Sequence, residues 1–178
     1  MHKNKFQELC QAYHAYLEEV ENYHNDCAGL IDKLRYQLLA FLECPQDTVL
    51  FRTIQQVDKA EGESGPQAKP LMQFNKEDGF WHIGMMLQLP HRQDPERKGK
   101  VWLQVLIKKM NLKAKQFTVK LNIKPVMEQK VPDEGNEGQL TILCEAIYNE
   151  AKRFYNEEFM EILAKNGSAK TIGFQISE

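Results

Sequence analysis

The sequence predicts an α+β fold in which a mostly antiparallel sheet of five to six strands is flanked by long N-terminal and C-terminal helices. Apolar residues recur at helical spacing in the first and last parts of the chain, and alternating strands with an Asp-Gly turn lie between them. With 178 residues and 42% hydrophobic content, the chain can bury one sizeable core. We therefore expect residues 1–178 to form a single domain.

Residues 1–44 are predicted to form a long helix that ends before Pro45. Its apolar residues recur in alternating steps of three and four, which is a heptad seam typical of a long helix packed against another helix. The partner could be internal or a second chain. Asp26 could instead cap a second helix, but one bent helix is favoured. The heptad seam consists of Phe6, Leu9, Tyr13, Tyr16, Val20, Tyr23, Cys27, Leu30 and Leu34.

Three residues of the heptad seam, Tyr13, Tyr16 and Tyr23, are tyrosines. Tyrosine is unusual in the seam of a coiled coil, because its hydroxyl needs a hydrogen-bond partner when the ring is buried. This favours packing of the seam on the body of its own domain.

The middle of the chain, residues 48–123, is predicted to form an antiparallel meander. A polar segment with several Gly and Pro residues indicates a flexible loop over 57–70. Asp78 and Gly79 lie between two apolar runs, which is a strong hairpin signal because Gly tolerates the positive φ of the turn. The strands are predicted at 48–56, 71–75, 80–89, 101–109 and 116–123.

The last third of the chain is predicted to be mainly helical. Residues 124–138 are acidic, carry Pro and Gly, and are assigned to a loop. An apolar stripe then predicts a long helix over 139–166, with Asn136 as a candidate cap. The final run, 170–176, is predicted to add an edge strand.

Alternation along the predicted strands separates two faces of the sheet. Odd-numbered residues are apolar and define the core face, whereas the even-numbered residues between 80 and 122 define what we call the second face. The second face mixes polar groups with large apolar side chains, which a solvated face would not do. Either one terminal helix covers each face, or both helices pack on the core face and leave the second face as a groove.

The groove is the candidate binding site for a partner helix, a peptide or a small apolar ligand. Polar groups at its edge would be Gln104, Lys108 and Asn122. His82 could act as a general base only if a carboxylate oriented it, and Asp78 is assigned to the turn instead. The residues expected to bind the ligand or partner are Phe80, His82, Met86, Trp102, Gln104 and Leu106.

The charge is segregated along the chain. The net charge is −2, whereas residues 101–125 hold six lysines and no acidic residue, so the remainder sums to −8. Lysines near aromatic rings could contact single-stranded nucleic acid, but lysine at strand edges also protects against aggregation, so nucleic acid is an unlikely partner. The lysines are Lys108, Lys109, Lys113, Lys115, Lys120 and Lys124.

No enzyme signature is found. The pairs Cys10 with His14 and His24 with Cys27 have helical spacing, but each supplies two ligands where zinc needs four, so no metal site and no cofactor are expected. Nucleophile elbows, phosphate-binding loops and dinucleotide fingerprints do not occur in the sequence. The chain is therefore expected not to be an enzyme.

No apolar run approaches the length of a membrane span, and the N-terminus resembles no signal peptide, so a cytoplasmic location is expected. The leading hypothesis is a non-enzymatic interaction or assembly module that binds a protein partner or itself, as a homodimer, through the aromatic sheet face or the N-terminal heptad helix. The alternatives are a protein or enzyme with a small apolar ligand between sheet and helix, and weak nucleic-acid binding through the lysines of 108–124.

Overall fold

The computed structural model describes residues 4–52, 72–90, 98–110, 116–132, 137–153 and 155–156. They form an α+β fold with a six-stranded antiparallel sheet and two helices, which confirms the predicted fold class. The helices are α1 (Lys5–Phe41) and α2 (Glu137–Arg153), and a 3-10 turn spans Gln46–Thr48. The strands are β1 (Val49–Arg52), β2 (Gln73–Phe74), β3 (Trp81–Pro90), β4 (Lys98–Lys109), β5 (Gln116–Leu121) and β6 (Met127–Pro132).

Helix α1 is one continuous helix of 37 residues, so the prediction of one helix rather than two is confirmed. At its start the Asn4 side chain accepts a hydrogen bond from the Gln7 amide at 2.9 Å, and the Gln7 side chain accepts one from the Asn4 amide at 3.2 Å. This capping box satisfies two of the amide donors that a helix start leaves free. At a rise of about 1.5 Å per residue, α1 is roughly 55 Å long.

The sheet has the strand order β1-β3-β4-β5-β6, and β2 pairs with the first residues of β3. The predicted hairpin between β2 and β3 is confirmed: Phe74 lies opposite Trp81, and Gly79 in the connecting turn has a φ of 72°. The Asp78 carboxylate holds this turn by accepting a hydrogen bond from the Phe80 amide at 2.9 Å.

Strand β6 lies where the sequence analysis predicted an acidic loop, and that prediction was wrong. β6 pairs with β5 along its whole length, with Val131 opposite Phe117, and Glu128 forms an ion pair with Lys120 at 3.0 Å. Val131 is the fully buried side chain of this strand, because β6 is at the edge of the sheet and only one face is covered. Its sequence therefore shows too little apolar alternation to be recognised.

Three predicted elements fall wholly or partly outside the described residues. Helix α2 begins at Glu137, close to the predicted start of the 139–166 helix, and its described part ends at Arg153. The flexible loop over 57–70 and the edge strand over 170–176 lie outside the described residues.

Both helices pack on the core face of the sheet. The buried apolar side chains of α1 and α2, such as Leu34 and Leu143, form one cluster with the odd-numbered residues of the strands, such as Val105. In the described part of the chain, neither helix is long and apolar enough to cross a membrane.

Polar contacts hold the two helices to the sheet. From α1, the Arg35 guanidinium donates hydrogen bonds to the carbonyl groups of Val49 and Gln46, each at 2.7 Å. From α2, the buried Glu150 carboxylate accepts hydrogen bonds from Arg153 at 2.6 and 2.9 Å and from the Lys124 amide at 3.3 Å. A buried carboxylate needs such charged and backbone donors, because its desolvation is costly.

Candidate functional site

The first half of α1 is exposed along almost its whole length. We call residues 5–22 the N-terminal arm. Every residue of the arm except the half-buried Cys10 is exposed, and full burial begins at Cys27. The arm therefore extends roughly 27 Å along the helix axis without the cover that a helix normally finds on its apolar side.

The apolar side of the arm carries the first part of the heptad seam. Its large apolar side chains are between 37% and 72% exposed. The prediction that the tyrosines pack on their own domain is wrong for two of the three and confirmed for Tyr23, whose hydroxyl accepts a hydrogen bond from the Lys109 amide at 3.2 Å. The exposed side chains are Phe6, Leu9, Tyr13, Tyr16, Leu17 and Val20.

Two side-chain contacts with the sheet hold α1 just after the arm ends. Asp26 forms an ion pair with the largely buried Lys109 at the end of β4. The His24 ring packs edge-on against Trp81 with ring centroids 5.0 Å apart. From Cys27 onwards the same heptad seam is buried on the core face of the sheet. One side of one helix is thus buried along half of its length and exposed along the other half.

This packing accounts for one of the two histidine and cysteine pairs of α1, His24 with Cys27, whereas Cys10 and His14 lie on the arm. Desolvation in the core raises the pKa of Cys27 to about 12, so its thiol is a poor metal ligand or nucleophile. The His24 ring is held edge-on against Trp81. Among the described residues, no group of three or more His, Cys, Asp or Glu side chains is arranged to hold a metal ion.

The second face carries its four predicted apolar residues on the same side of the sheet, but in two separate groups. Met86 lies opposite Trp102 and forms a buried cluster with Leu50 of β1, which the sequence analysis did not include. Phe80 lies towards the other end, and Leu106 pairs with His82 between them. Alternation in a strand as short as β1 gives Leu50 too weak a signal to be assigned to a site.

The two predicted arrangements of the helices are now distinguishable for the described residues. The arrangement with one helix on each face is wrong, because α1 and α2 both pack on the core face. The resulting groove is nevertheless not open. Phe80, Met86 and Trp102 are only 3%, 1% and 4% exposed, so the apolar floor of the groove is covered.

His82 does have an orienting carboxylate, contrary to the sequence analysis. Its Nε2 lies 2.8 Å from the Asp78 carboxylate, and its Nδ1 lies 3.3 Å from the side-chain amide of Gln104. Asn122 donates to the Gln104 carbonyl oxygen at 2.8 Å, which leaves the Gln104 NH₂ group to donate to Nδ1. Both ring nitrogens are therefore engaged, and the network links β3, β4 and the residue that follows β5 without providing a free base.

This network predicts a pH effect on stability. Desolvation raises the pKa of Asp78, but the hydrogen bonds from the Phe80 amide and from His82 lower it, and the net direction is downward. A carboxylate whose pKa is depressed in the folded state stabilises the fold at pH values above the ordinary pKa of Asp. This stabilisation is lost as the pH falls through the folded-state pKa. We expect Asp78→Asn to lower the free energy of unfolding at pH 6 and to lower it by less at pH 3, as measured by urea denaturation.

The control for this prediction is Glu77→Gln, which removes a neighbouring exposed carboxylate of the same turn. Its difference from the unsubstituted chain should be close to zero at both pH values. An Asp78→Asn difference that is the same at pH 3 and pH 6 would contradict the proposed role of the carboxylate.

Three of the four described lysines of the predicted basic segment have side-chain partners within the chain. Lys109 pairs with Asp26, and Lys120 pairs with Glu128. The Lys108 and Lys120 ammonium groups lie 4.2 and 4.8 Å from the centre of the Phe80 ring. A ring covered by two cations is not available for stacking on a base, so this arrangement does not favour nucleic-acid binding.

The other three lysines of the predicted basic segment give no further support for nucleic-acid binding. Lys124 is exposed, and Lys113 and Lys115 lie outside the described residues.

A comparison of the chain with protein-family models, curated proteins and solved structures finds no match. The two candidate surfaces differ in one decisive respect. The large apolar side chains of the second face are mostly covered, whereas those of the N-terminal arm are exposed in a regular heptad pattern.

Proposed function

We propose that this chain is a protein-interaction module that assembles by packing its N-terminal arm against an amphipathic helix of a partner. The carrying observation is the heptad seam, which is buried from Cys27 onwards and exposed from Phe6 to Val20. The same pattern of apolar residues thus forms two packing surfaces, and among the described residues the sheet covers only the one that begins at Cys27. This deepens the hypothesis of an assembly module and selects the helix over the sheet face.

The energetics of the arm support this function. A helix in water gains little stability without packing of its apolar side, and isolated helices of about 15 residues are marginal. Burying a large apolar side chain contributes on the order of 1.5–3 kcal/mol. Six such side chains lie on or beside the exposed seam. Packing against a partner helix would remove them from water and stabilise the arm as well.

Photo-crosslinking tests the proposal and does not require the partner to be identified first. The photoreactive residue p-benzoylphenylalanine replaces Tyr16 on the seam, and in a separate chain it replaces Ala15 on the outward side of the same turn. We expect irradiation of cells that express the chain to give a discrete protein adduct from position 16 and none from position 15. Leu9 lies on the seam about two helical turns before Tyr16. Adding Leu9→Glu to the position 16 chain should abolish the adduct.

These outcomes decide the proposal. Equal labelling from positions 15 and 16 would reflect exposure alone and would overturn it. An adduct that persists with Leu9→Glu would overturn it as well, because contact at Tyr16 would then not depend on the seam.

A further inference from the structure

We infer that the partner of the N-terminal arm is the arm of a second copy of this chain, packed in the antiparallel direction. This inference rests on the proposed function of the arm. It is carried by three observations: the position at which the sheet begins beneath α1, the apolar layers that an antiparallel pair forms, and the distribution of charge along the arm.

The sheet excludes a parallel, in-register pair. Two packed helices have their axes about 8–10 Å apart. In a parallel pair, the second copy of α1 would continue past Tyr23 along the seam and enter the space that the sheet occupies beneath Cys27 and Leu30. In a straight helix the direction of the seam rotates by only about 20° per heptad. The exposed part of the seam therefore lies on nearly the same side of α1 as the part that is buried against the sheet. A parallel partner would therefore collide with the core of the first copy.

An antiparallel pair avoids this collision. The second arm then ends before the sheet begins, and each body lies beyond the N-terminus of the other arm. In such a pair, the residue at the first position of a heptad packs against the residue at the fourth position of a heptad in the opposite helix, which gives a symmetric set of layers. Phe6 packs against Tyr16 of the second copy, and Leu9 packs against Tyr13 of the second copy. Leu17 flanks these layers and widens the apolar surface.

The charge of the arm is complementary to itself only in the antiparallel direction. Three of its four carboxylates, Glu18, Glu19 and Glu21, are at its C-terminal end. Lys5 is at its N-terminal end, and the fourth carboxylate, Glu8, lies on the outward side, one heptad before Ala15. A parallel pair would bring six carboxylates together, which is unfavourable. In the antiparallel layers, Lys5 flanks the seam next to Glu19 of the second copy, and by symmetry this pair occurs twice.

A charge-swap series tests both the partner and the direction. The purified chain is diluted across its dissociation range, and the dimer Kd is measured by sedimentation. Lys5→Glu and Glu19→Lys each turn two attractive pairs into two repulsive pairs, so we expect each to raise Kd about tenfold. The double variant restores opposite charges across the interface and should return Kd to within about threefold of the original value.

The restoration is specific to the antiparallel pair. Within one chain, Lys5 and Glu19 are about 21 Å apart along the helix axis, too far for direct pairing. Both lie outside the apolar layers and are exposed, so neither substitution should affect folding, which circular dichroism checks. Raised salt should weaken the tenfold effects, because exposed ion pairs are screened.

A second measurement uses the native Cys10, which flanks the seam near the symmetry axis of the antiparallel pair. A short bismaleimide should link the two copies at this residue, and Cys10→Ser should abolish the link. Cys44 is half-buried like Cys10, so it is replaced by Ser in both chains, whereas Cys27 and Cys144 are buried and are expected to stay unmodified in the folded chain.

Each failure has a distinct meaning. A monomer at every concentration would overturn self-pairing, and a seam-dependent adduct with a different protein would then leave the proposed function in place. A dimer without restoration in the double variant and without a Cys10 link would overturn the antiparallel direction. An absence of any seam-dependent adduct would overturn the proposed function itself.

Discussion

Leu9→Glu is expected to raise the dimer Kd at least about a hundredfold while leaving the fold intact. Leu9 is 68% exposed in the single chain and would lie in two symmetry-related layers of the antiparallel pair. Each layer would lose roughly 2 kcal/mol of apolar burial and would also have to desolvate a carboxylate. Sedimentation of the purified variant against the unsubstituted chain measures the effect.

The matched control is Ala15→Glu, which introduces the same side chain on the outward side of the arm. Its dimer Kd should stay within about threefold of the original, because Glu and Ala differ little in an exposed helix. The free energy of unfolding of both variants should be unchanged within about 0.5 kcal/mol. Equal dimer Kd values for the two variants would place the interface elsewhere.

Leu30→Ala is expected to lower the free energy of unfolding by about 3 kcal/mol. Leu30 is 3% exposed, and its side chain is part of the core that α1 forms with the sheet. Removing most of it loses apolar burial and leaves a cavity that a close-packed core fills only in part. Urea denaturation, performed at a concentration where the chain is monomeric, gives the value.

Leu9→Ala is the control, since it makes the same chemical change at the equivalent heptad position of the same helix. We expect it to alter the unfolding of the monomer by less than about 0.5 kcal/mol, because Leu9 is exposed. The dimer Kd should respond in the opposite order, with a large effect for Leu9→Ala. A similar loss of monomer stability in both variants would mean that the arm packs on its own body.

Much of the fold was predictable because its signals are local. The Asp78 and Gly79 turn and the alternation in β3, β4 and β5 come from neighbours in the sequence, and the structure contains the hairpin and the strands close to the predicted positions. Strand β6 was missed because an edge strand with one covered face needs few apolar residues. Its pairing with β5 is a long-range property.

The candidate site was predictable only in part. The common face of Phe80, Met86, Trp102 and Leu106 follows from the pleat, but its division into two groups depends on how strands are aligned with one another. The approach of Asp78 to His82 likewise depends on the shape of the turn. Both helices pack on one face, which no local pattern could decide.

The heptad seam of α1 shows where sequence information ends. The order of side chains determines that one helix with one apolar side will form from Lys5 to Phe41, since spacing and capping are properties of adjacent residues. The sheet decides what that side does, because it lies beneath the helix only from about Tyr23 onwards. Side chains with the same periodicity are therefore buried in the core in one half of α1 and exposed in the other half. Only the three-dimensional extent of the sheet decides which side chains are buried.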